Sequence, residues 1–586
     1  MTDEALFTRA AELGVQCDYH DVAGQHHRAD PAALAEVVAL LEADREAADA
    51  VPRVGPPLHL STRGPLAVDA MVGAAAVVVG GGQPIELTSR RNGERSTIDL
   101  PADLPLGCHV VEYETDAGPG ETVVVVAPPT MPRAERFAGR SGVFVPTYAL
   151  WERDRPLPTF ANLHHLARDL LRHGVDVVGT LPLSATFLAD PYDPSPYSPI
   201  SRLHWNEVYL DDAGLPAAAV PPQGSHVDWT TLAARRRAQL LEAARSPELD
   251  APLTAFVAAH PDVGAYARFR AQREADGDDL VARSHVLAQY LADQQLRAIA
   301  DDPDAAALAL DLPIGSSPHG YEVWADPTMF AHGATVGAPP DTFFAEGQNW
   351  GFPPPLPAAM RASGHRLWRQ LIERVGRYCD VLRVDHAMAI ERLWWVPEGF
   401  SADRGVYVHY PREELLAVIA ASAAAAGVTI VGENLGTVPE EVSEAFERWD
   451  VLGMYEEQFH LDDDPLPHIP ARSVAGIRTH DMEPIAELVA TQDTSGYRAR
   501  LGAAHGTVIE QTWNDVVDQM LVRLAASDAY LVIADLDDLI GERRPHNLPG
   551  RVVDGLWARR LDKPTSEVLA EPDVWRRLSI LGRTRE

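Results

Sequence analysis

Hydrophobic positions change their spacing twice along this 586-residue chain. Residues 4–14 and 31–48 place apolar side chains at helical intervals, with Asp30-Pro31 shaped as an N-cap and first-turn proline. They predict a helical N-terminal segment over 1–50. From 51 to 127 the pattern turns to short alternating or β-branched runs: LHLST, AVVVGGG, IELTS, STIDL, GCHVVEYET and ETVVVVAPP. Gly, Pro and Asp separate them, which predicts a small antiparallel, sandwich-like β domain over 51–130. The Gly80-Gly81-Gly82 run lacks the Lys-Ser/Thr of a phosphate loop and reads as a turn.

From 141 onward, buried-type strands alternate with amphipathic helices. GVFVPTY (142–148) precedes the helical LHHLARDLLRHG, and VDVVGTLPL (175–183) follows. LALDLPIG (308–315), CDVLRVDHA (379–387), VTIVGENLG (428–436), SVAGIRTHD (473–481) and YLVIADLDDL (530–539) continue the series. Such alternation implies a parallel sheet. About eight units predict an α/β fold, a (β/α)8 TIM barrel over 141–586. A plain barrel needs only about 250 residues, so large helical insertions are expected, near 185–300 and 316–375.

Active sites of such barrels lie at the C-terminal strand ends. Three ends here are ionisable: Arg383-Val384-Asp385-His386, Gly432-Glu433-Asn434 and Thr479-His480-Asp481. Burying one unpaired carboxylate costs several kcal/mol, so three converging on one mouth need a use. Glycosyl transfer supplies one: a carboxylate attacks the anomeric carbon, a second protonates the leaving oxygen, and others hold the ring. Taken singly, each has a plainer reading. Asp385 pairs with Arg383 two residues earlier, Glu433 sits on a rim, and His480-Asp481 caps a helix.

Composition narrows the partners. A net charge of −35 and a pI near 4.9 oppose nucleic acid, anionic membranes and phosphate-rich ligands, but accept a neutral sugar. No apolar run approaches the ~20 residues of a membrane span. The first residues, MTDEALFTRAAELG, lack the basic and apolar parts of a secretory signal. Cys17, Cys108 and Cys379 are too few and too scattered for a disulfide framework, which points to a cytoplasmic protein. The pairs His26-His27 and His164-His165 read as surface residues, and Asp462-Asp463-Asp464 as a solvated turn. No metal and no cofactor are expected.

LRVDHAMAIERLWWVPEG (382–399), the 406–439 stretch ending GVTIVGENLGTVP, and RTHDM (478–482) resemble glycoside hydrolase family 77, the amylomaltase and disproportionating-enzyme family. GTLPLSATFLADPYDPSPYSPISRLHWNEVYLD (179–211), YEVWADPTMF and VGAPPDTFFAEGQNWGFPPP extend the resemblance over 141–586. The resemblance implies a 4-α-glucanotransferase passing α-1,4-glucan segments between maltooligosaccharides through a covalent glycosyl-Asp intermediate. It implies that Asp385 is the nucleophile, Glu433 the acid/base, and Asp481 the carboxylate that binds sugar hydroxyls. Arg383 and His480 match residues that hydrogen-bond the nucleophile and the sugar. Expected substrate-binding residues also include Tyr197, Asp341, Phe343, Phe344, Gln348, Asn349 and Trp350. Trp350 reads as a stacking platform or an ordinary core tryptophan.

Arg383 is expected to keep Asp385 ionised, with the Glu433 pKa raised and the two carboxyls about 5–5.5 Å apart. Departures from the family pattern are Asn434 after the glutamate, Thr342 after Pro-Pro-Asp, Glu483 after RTHDM, and the absence of Gly-Asp from RPLPTFANL after the first strand. An α-glucan hydrolase, a transferase with an unusual acceptor and a non-catalytic glucan-binding protein are the alternatives. The β domain either binds glucan or only packs on the barrel.

Overall fold

The computed structural model describes residues 2–20, 24–79, 82–189, 191–341, 344–436, 438–550 and 555–582. Eight parallel strands form its centre. They are β1 (Arg140–Phe144), β2 (Val177–Gly179), β3 (Ala307–Leu312), β4 (Val381–Val384), β5 (Thr429–Gly432), β6 (Gly453–Glu456), β7 (Ser473–Gly476) and β8 (Leu531–Asp535). Neighbours in the chain are neighbours in space, β8 pairs back onto β1, and a parallel bridge between Val431 and Leu452 closes β5 against β6. The barrel is therefore closed. Seven of these strands stand out as apolar runs in the sequence. The sixth does not, because β6 carries Glu456 and is followed by Glu457.

The two-residue period of a strand sorts side chains between lumen and helices. In β4, Leu382 and Val384 join the core under the helices, while Val381 packs with Val431, Val474 and Leu531 inside the barrel. Arg383 shares the lumen parity of Val381, and Asp385 comes next on that face just past the strand. β5 follows the same rule, with Ile430 outward, Val431 inward and Glu433 next on the inward side. An apolar plug thus supports a polar layer at the mouth.

Large excursions leave the barrel after β2 and after β3. Helices Trp229–Ala243, Asp250–Ala259, Pro261–Ala275 and Asp279–Ala300 fill the first. A third excursion follows β4, where Arg392–Pro397 and Val406–His409 pair antiparallel with each other. They join Ala334–Ala338, Gln348–Asn349 and the N-terminal Val15–Gln16 in one five-stranded sheet. The first fifty residues therefore hold short strands beside helices Asp3–Glu12 and Pro31–Asp49, and tie into the barrel's own excursions.

The 51–130 region packs a five-stranded sheet against a three-stranded one. Leu66, Val68 and Ile98 meet Val77, Val111, Tyr113 and Val124 between them. One pairing, Leu58–Leu60 with Gly118–Val126, is parallel. The outer face of the larger sheet presses Leu58, Val123 and Val125 onto Ala417, Val418 and Ala421 of helix Arg412–Ala426. That helix is buried almost all round, which explains its run of alanine, leucine, valine and isoleucine without a polar stripe.

Candidate active site

At the end of β4, the Arg383 guanidinium donates Nη1 to both oxygens of Asp311 at 2.8 Å and to Asp385 Oδ1 at 3.1 Å. Asp311 belongs to β3, so one arginine ties two strand ends together. Tyr197, from the excursion after β2, donates its hydroxyl to Asp311 Oδ2 at 2.6 Å. The Tyr197 ring stacks on His480, with centroids 5.0 Å apart and planes within 7°. Phe144 of β1 lies on another side of the imidazole at 6.0 Å. His480 Nε2 is 3.3 Å from Asp481 Oδ1, and Asn547 Nδ2 donates to that oxygen at 2.5 Å.

Glu433 meets this group from β5. Its Oε2 accepts from the His386 backbone N–H at 2.8 Å, and its Oε1 from Leu435 N–H at 3.1 Å. His386 sits at φ 44°, a left-handed conformation uncommon for a side-chain-bearing residue. This aims the N–H that follows Asp385 at the glutamate. Asp385, Glu433, Arg383, His480, Asp481 and Tyr197 are thus brought into one linked cluster. Asp311 and Asn547 belong to it too, Asn547 opening the NLPG stretch (547–550) that resembles a family loop near the barrel mouth. For Asp311 a signal exists: it is the ionisable residue ending a strand, in LALDLPIG, the rule that picks Asp385.

The electrostatics differ from a simple arginine-held nucleophile. Burial pushes the Asp385 carboxyl up to about 7, with Asp311, Glu433 and Asp481 adding repulsion and Arg383 opposing. Burial also raises Glu433, against the pull of Arg383 and its two N–H donors. Both carboxyls are therefore lifted. Arg383 does not hold Asp385 at an ordinary carboxylate value as its position in the sequence implies. Burial outweighs it. Burial lowers the His480 imidazole below its ordinary value, with Asp481 opposing.

The aromatic and polar stretch after β3 divides. Trp350 is half-buried, packed beside Phe352 and edge-on to His386 at 5.1 Å, so it joins a core cluster and also borders the site. Gln348 Oε1 accepts from Trp350 Nε1 at 3.3 Å. Asn349 is exposed and accepts from Gly351 N–H at 2.9 Å, a local turn contact. Asp341 closes a turn by accepting Phe344 N–H at 2.6 Å. A β-carbon on Gly550 would lie 2.6 Å from the Phe344 ring, so Phe344 covers the same 547–550 loop whose Asn547 holds Asp481. Phe343 and Thr342 lie outside the described residues, as do Gly80 and Gly81.

Asn434 accepts Met454 N–H at 2.8 Å and fills the space over Gly453, so it braces β5 against β6. Glu483 accepts from Gln492 at 3.3 Å. His164 is half-buried against Asp302 at 2.7 Å rather than free on the surface. Among the described residues no group of His, Cys, Asp and Glu is arranged to hold a metal ion.

A closed barrel whose mouth gathers paired carboxylates around one arginine defines the class of carbohydrate-active (β/α)8 enzymes that work through two carboxyls. Residues 145–283 and 273–565 match the family model of glycoside hydrolase family 77, described as 4-alpha-glucanotransferase. The chain belongs to that family. It is 28% identical to the 4-alpha-glucanotransferase of Mycobacterium tuberculosis over 84% of this chain and 81% of the relative. Against that of Haemophilus influenzae, identity is 27% over 74% and 73%. The amylomaltase of Corynebacterium glutamicum superposes with a TM-score of 0.86 at 20% identity, over 99% of this chain and all (100%) of that one. The amylomaltase of Streptococcus agalactiae in complex with acarbose gives 0.67 at 21% identity, over 76% and 98%.

Proposed function

We propose that this protein is a 4-α-glucanotransferase that moves α-1,4-glucan segments between maltooligosaccharides by retaining double displacement. The observation that carries the reading is the single cluster joining Asp385, Glu433 and Asp481 through Arg383, His386 and His480. In the first step the ionised Asp385 carboxylate attacks the anomeric carbon. Glu433, in its acid form, gives its proton to the departing glycosidic oxygen, leaving a glycosyl ester on Asp385. In the second step Glu433 takes the proton from the acceptor's 4-hydroxyl as that oxygen displaces Asp385. The acid/base and the nucleophile are thereby restored.

The cycle needs one carboxyl ionised and the other protonated, and the burial that lifts Glu433 favours its acid form. Arg383 steadies the charge on Asp385. Asp481 and His480 hydrogen-bond the sugar hydroxyls. Tyr197 holds Asp311 and stacks on His480, and with Trp350 and Phe344 it limits water around the ester, which favours transfer over hydrolysis.

The free thiols of Cys17, Cys108 and Cys379 support a reducing cytoplasm as the place of action. No helix among the described residues is long and apolar enough to cross a membrane.

Incubation of the pure protein with maltotriose tests the reaction class. Glucose with oligosaccharides longer than the substrate is the expected product pattern. Maltose and glucose without elongation make the protein a hydrolase, and no turnover makes it a binding protein.

A further inference from the structure

The seam between β5 and β6 is the slimmest in the barrel. It holds one parallel bridge, Val431 to Leu452, with the Gly432 N–H donated to Leu452 C=O at 2.8 Å. Every other pair of neighbouring strands stays in register over two to five residues. Past the bridge, the Gly453 N–H turns toward β7 and meets Arg472 C=O at 3.2 Å. The Met454 N–H turns back toward β5 and finds a side chain there: Asn434 Oδ1 accepts it at 2.8 Å. A buried N–H has to be matched, so Asn434 carries the ladder on where the main chain of β5 does not.

Met454 then reaches into the lumen, against Val381, Val431 and Val474. Its sulfur accepts Arg383 Nε at 3.4 Å. A thioether is a weak acceptor. It fixes one edge of the guanidinium and leaves the strong bonds to Nη1, which holds Asp311 and Asp385. A carboxylate in its place would compete with Asp385 for the arginine. Methionine is unbranched and adaptable, and a cavity of about 90 Å³ opens beside this one. The place of the sulfur therefore depends on how firmly the Met454 main chain is held.

Asn434 directly follows Glu433. The reacting carboxyls are thus joined twice. One link is the His386 N–H that Glu433 accepts at 2.8 Å. The other runs from Asn434 through Met454 to Arg383 and so to Asp385.

On the transferase reading above, we propose that Asn434 and Met454 are positioning residues: Asn434 fixes Met454, whose sulfur seats Arg383 so that Nη1 meets the nucleophile Asp385. The probe is α-maltotriosyl fluoride. Fluoride leaves with little help from an acid, so kcat/KM for its release reads attack by Asp385, whether water or a sugar takes the glycosyl group next.

Met454→Leu conserves volume and removes the acceptor. It is expected to lower kcat/KM for fluoride release roughly ten- to hundredfold, with the unfolding midpoint little changed. The acid limb of the pH profile moves upward, because Arg383 pulls Asp385 down against burial and against Asp311, Glu433 and Asp481. Met454→Gln, which returns a neutral acceptor at similar reach, restores most of the rate. Asn434→Ala lowers it as the leucine variant does, and Asn434→Asp, which keeps the accepting oxygen, does not. Asn434→Ala combined with Met454→Leu loses no more than Met454→Leu alone, since one acts through the other.

A native rate and an unmoved acid limb in Met454→Leu overturn the proposal. So does a Met454→Gln variant as slow as the leucine one, or losses that multiply in the pair. A protein that hydrolyses maltotriose without elongating it fails the transferase reading yet still gives the fluoride contrast, so the two failures are told apart. No fluoride release from the native protein overturns both.

Discussion

Two clusters of buried charge sit side by side in this barrel, built from the same residue types and put to opposite ends. At the mouth, the Arg383 and Asp385 side chains keep 18% and 20% of their surface open, and Asp481 keeps 42%. Beside β8, Arg478 and Asp538 keep none (0%) and Arg559 and Asp537 keep 2% each. There Arg478 donates to Asp538 at 2.9 Å and lies 3.3 Å from Asp535. Arg559 grips Asp537 and reaches Glu542 at 3.3 Å, and His546 joins Asp537 to the Tyr148 hydroxyl at 2.9 Å. The second cluster is shut off from solvent, although burial lifts Asp535 there too, to about 7. The first leaves Asp385 raised and partly open. Neither buried charge nor a raised carboxyl by itself marks a site; access does.

Substitutions break this comparison from its two sides. The largest effect is expected from Asp385→Asn, which lowers transfer roughly 10⁴-fold or more, read as product formed from maltotriose. Its unfolding midpoint stays level or rises, because a repelled buried carboxyl has been removed. Arg559→Met does the reverse. It strands Asp537 and Glu542 without their counter-charge and costs about 3–5 kcal/mol by denaturant unfolding, with kcat per folded molecule unchanged.

The smallest effect sharpens the boundary between the clusters. Glu456 lines a cavity of about 90 Å³ between them, with Oε2 unpartnered and its carboxyl pushed up to about 8 by burial. Arg383 and Arg478 pull it down, and Asp535 and Asp538 push it up. Below its ordinary value of 4.5 it is protonated whether folded or not, and contributes nothing to pH dependence. As pH climbs from there to about 8, the unfolded chain ionises while the fold retains the proton, so stability falls across that window. Glu456→Gln removes the fall. Its unfolding midpoint matches the native protein near pH 4.5 and exceeds it by a few degrees near pH 8.

Much of the mouth is legible in the residues themselves. Arg383, Asp385, Glu433 and the His480-Asp481 pair stand at the ends of apolar runs, and alternation alone puts Val381, Arg383 and Asp385 on one face. What escapes is whatever lacks a local pattern. β6 hides because Glu456 interrupts it, and Gly476 makes room for that side chain: a β-carbon there would lie 2.6 Å from Glu456 Oε2. NLPG (547–550) resembles a mouth loop in sequence, but its role shows only when closure of the barrel brings Asn547 to Asp481.

The chain by itself determined that strands and helices alternate, which side chains enter the lumen, and which strand ends carry acid. Those properties follow from periods of two and 3.6 residues, and such periods are local. Tertiary structure alone decided that burial outweighs Arg383 at Asp385 and that Asn434 braces β6. Desolvation and pairing depend on every neighbour in space, and most of those neighbours are distant in sequence.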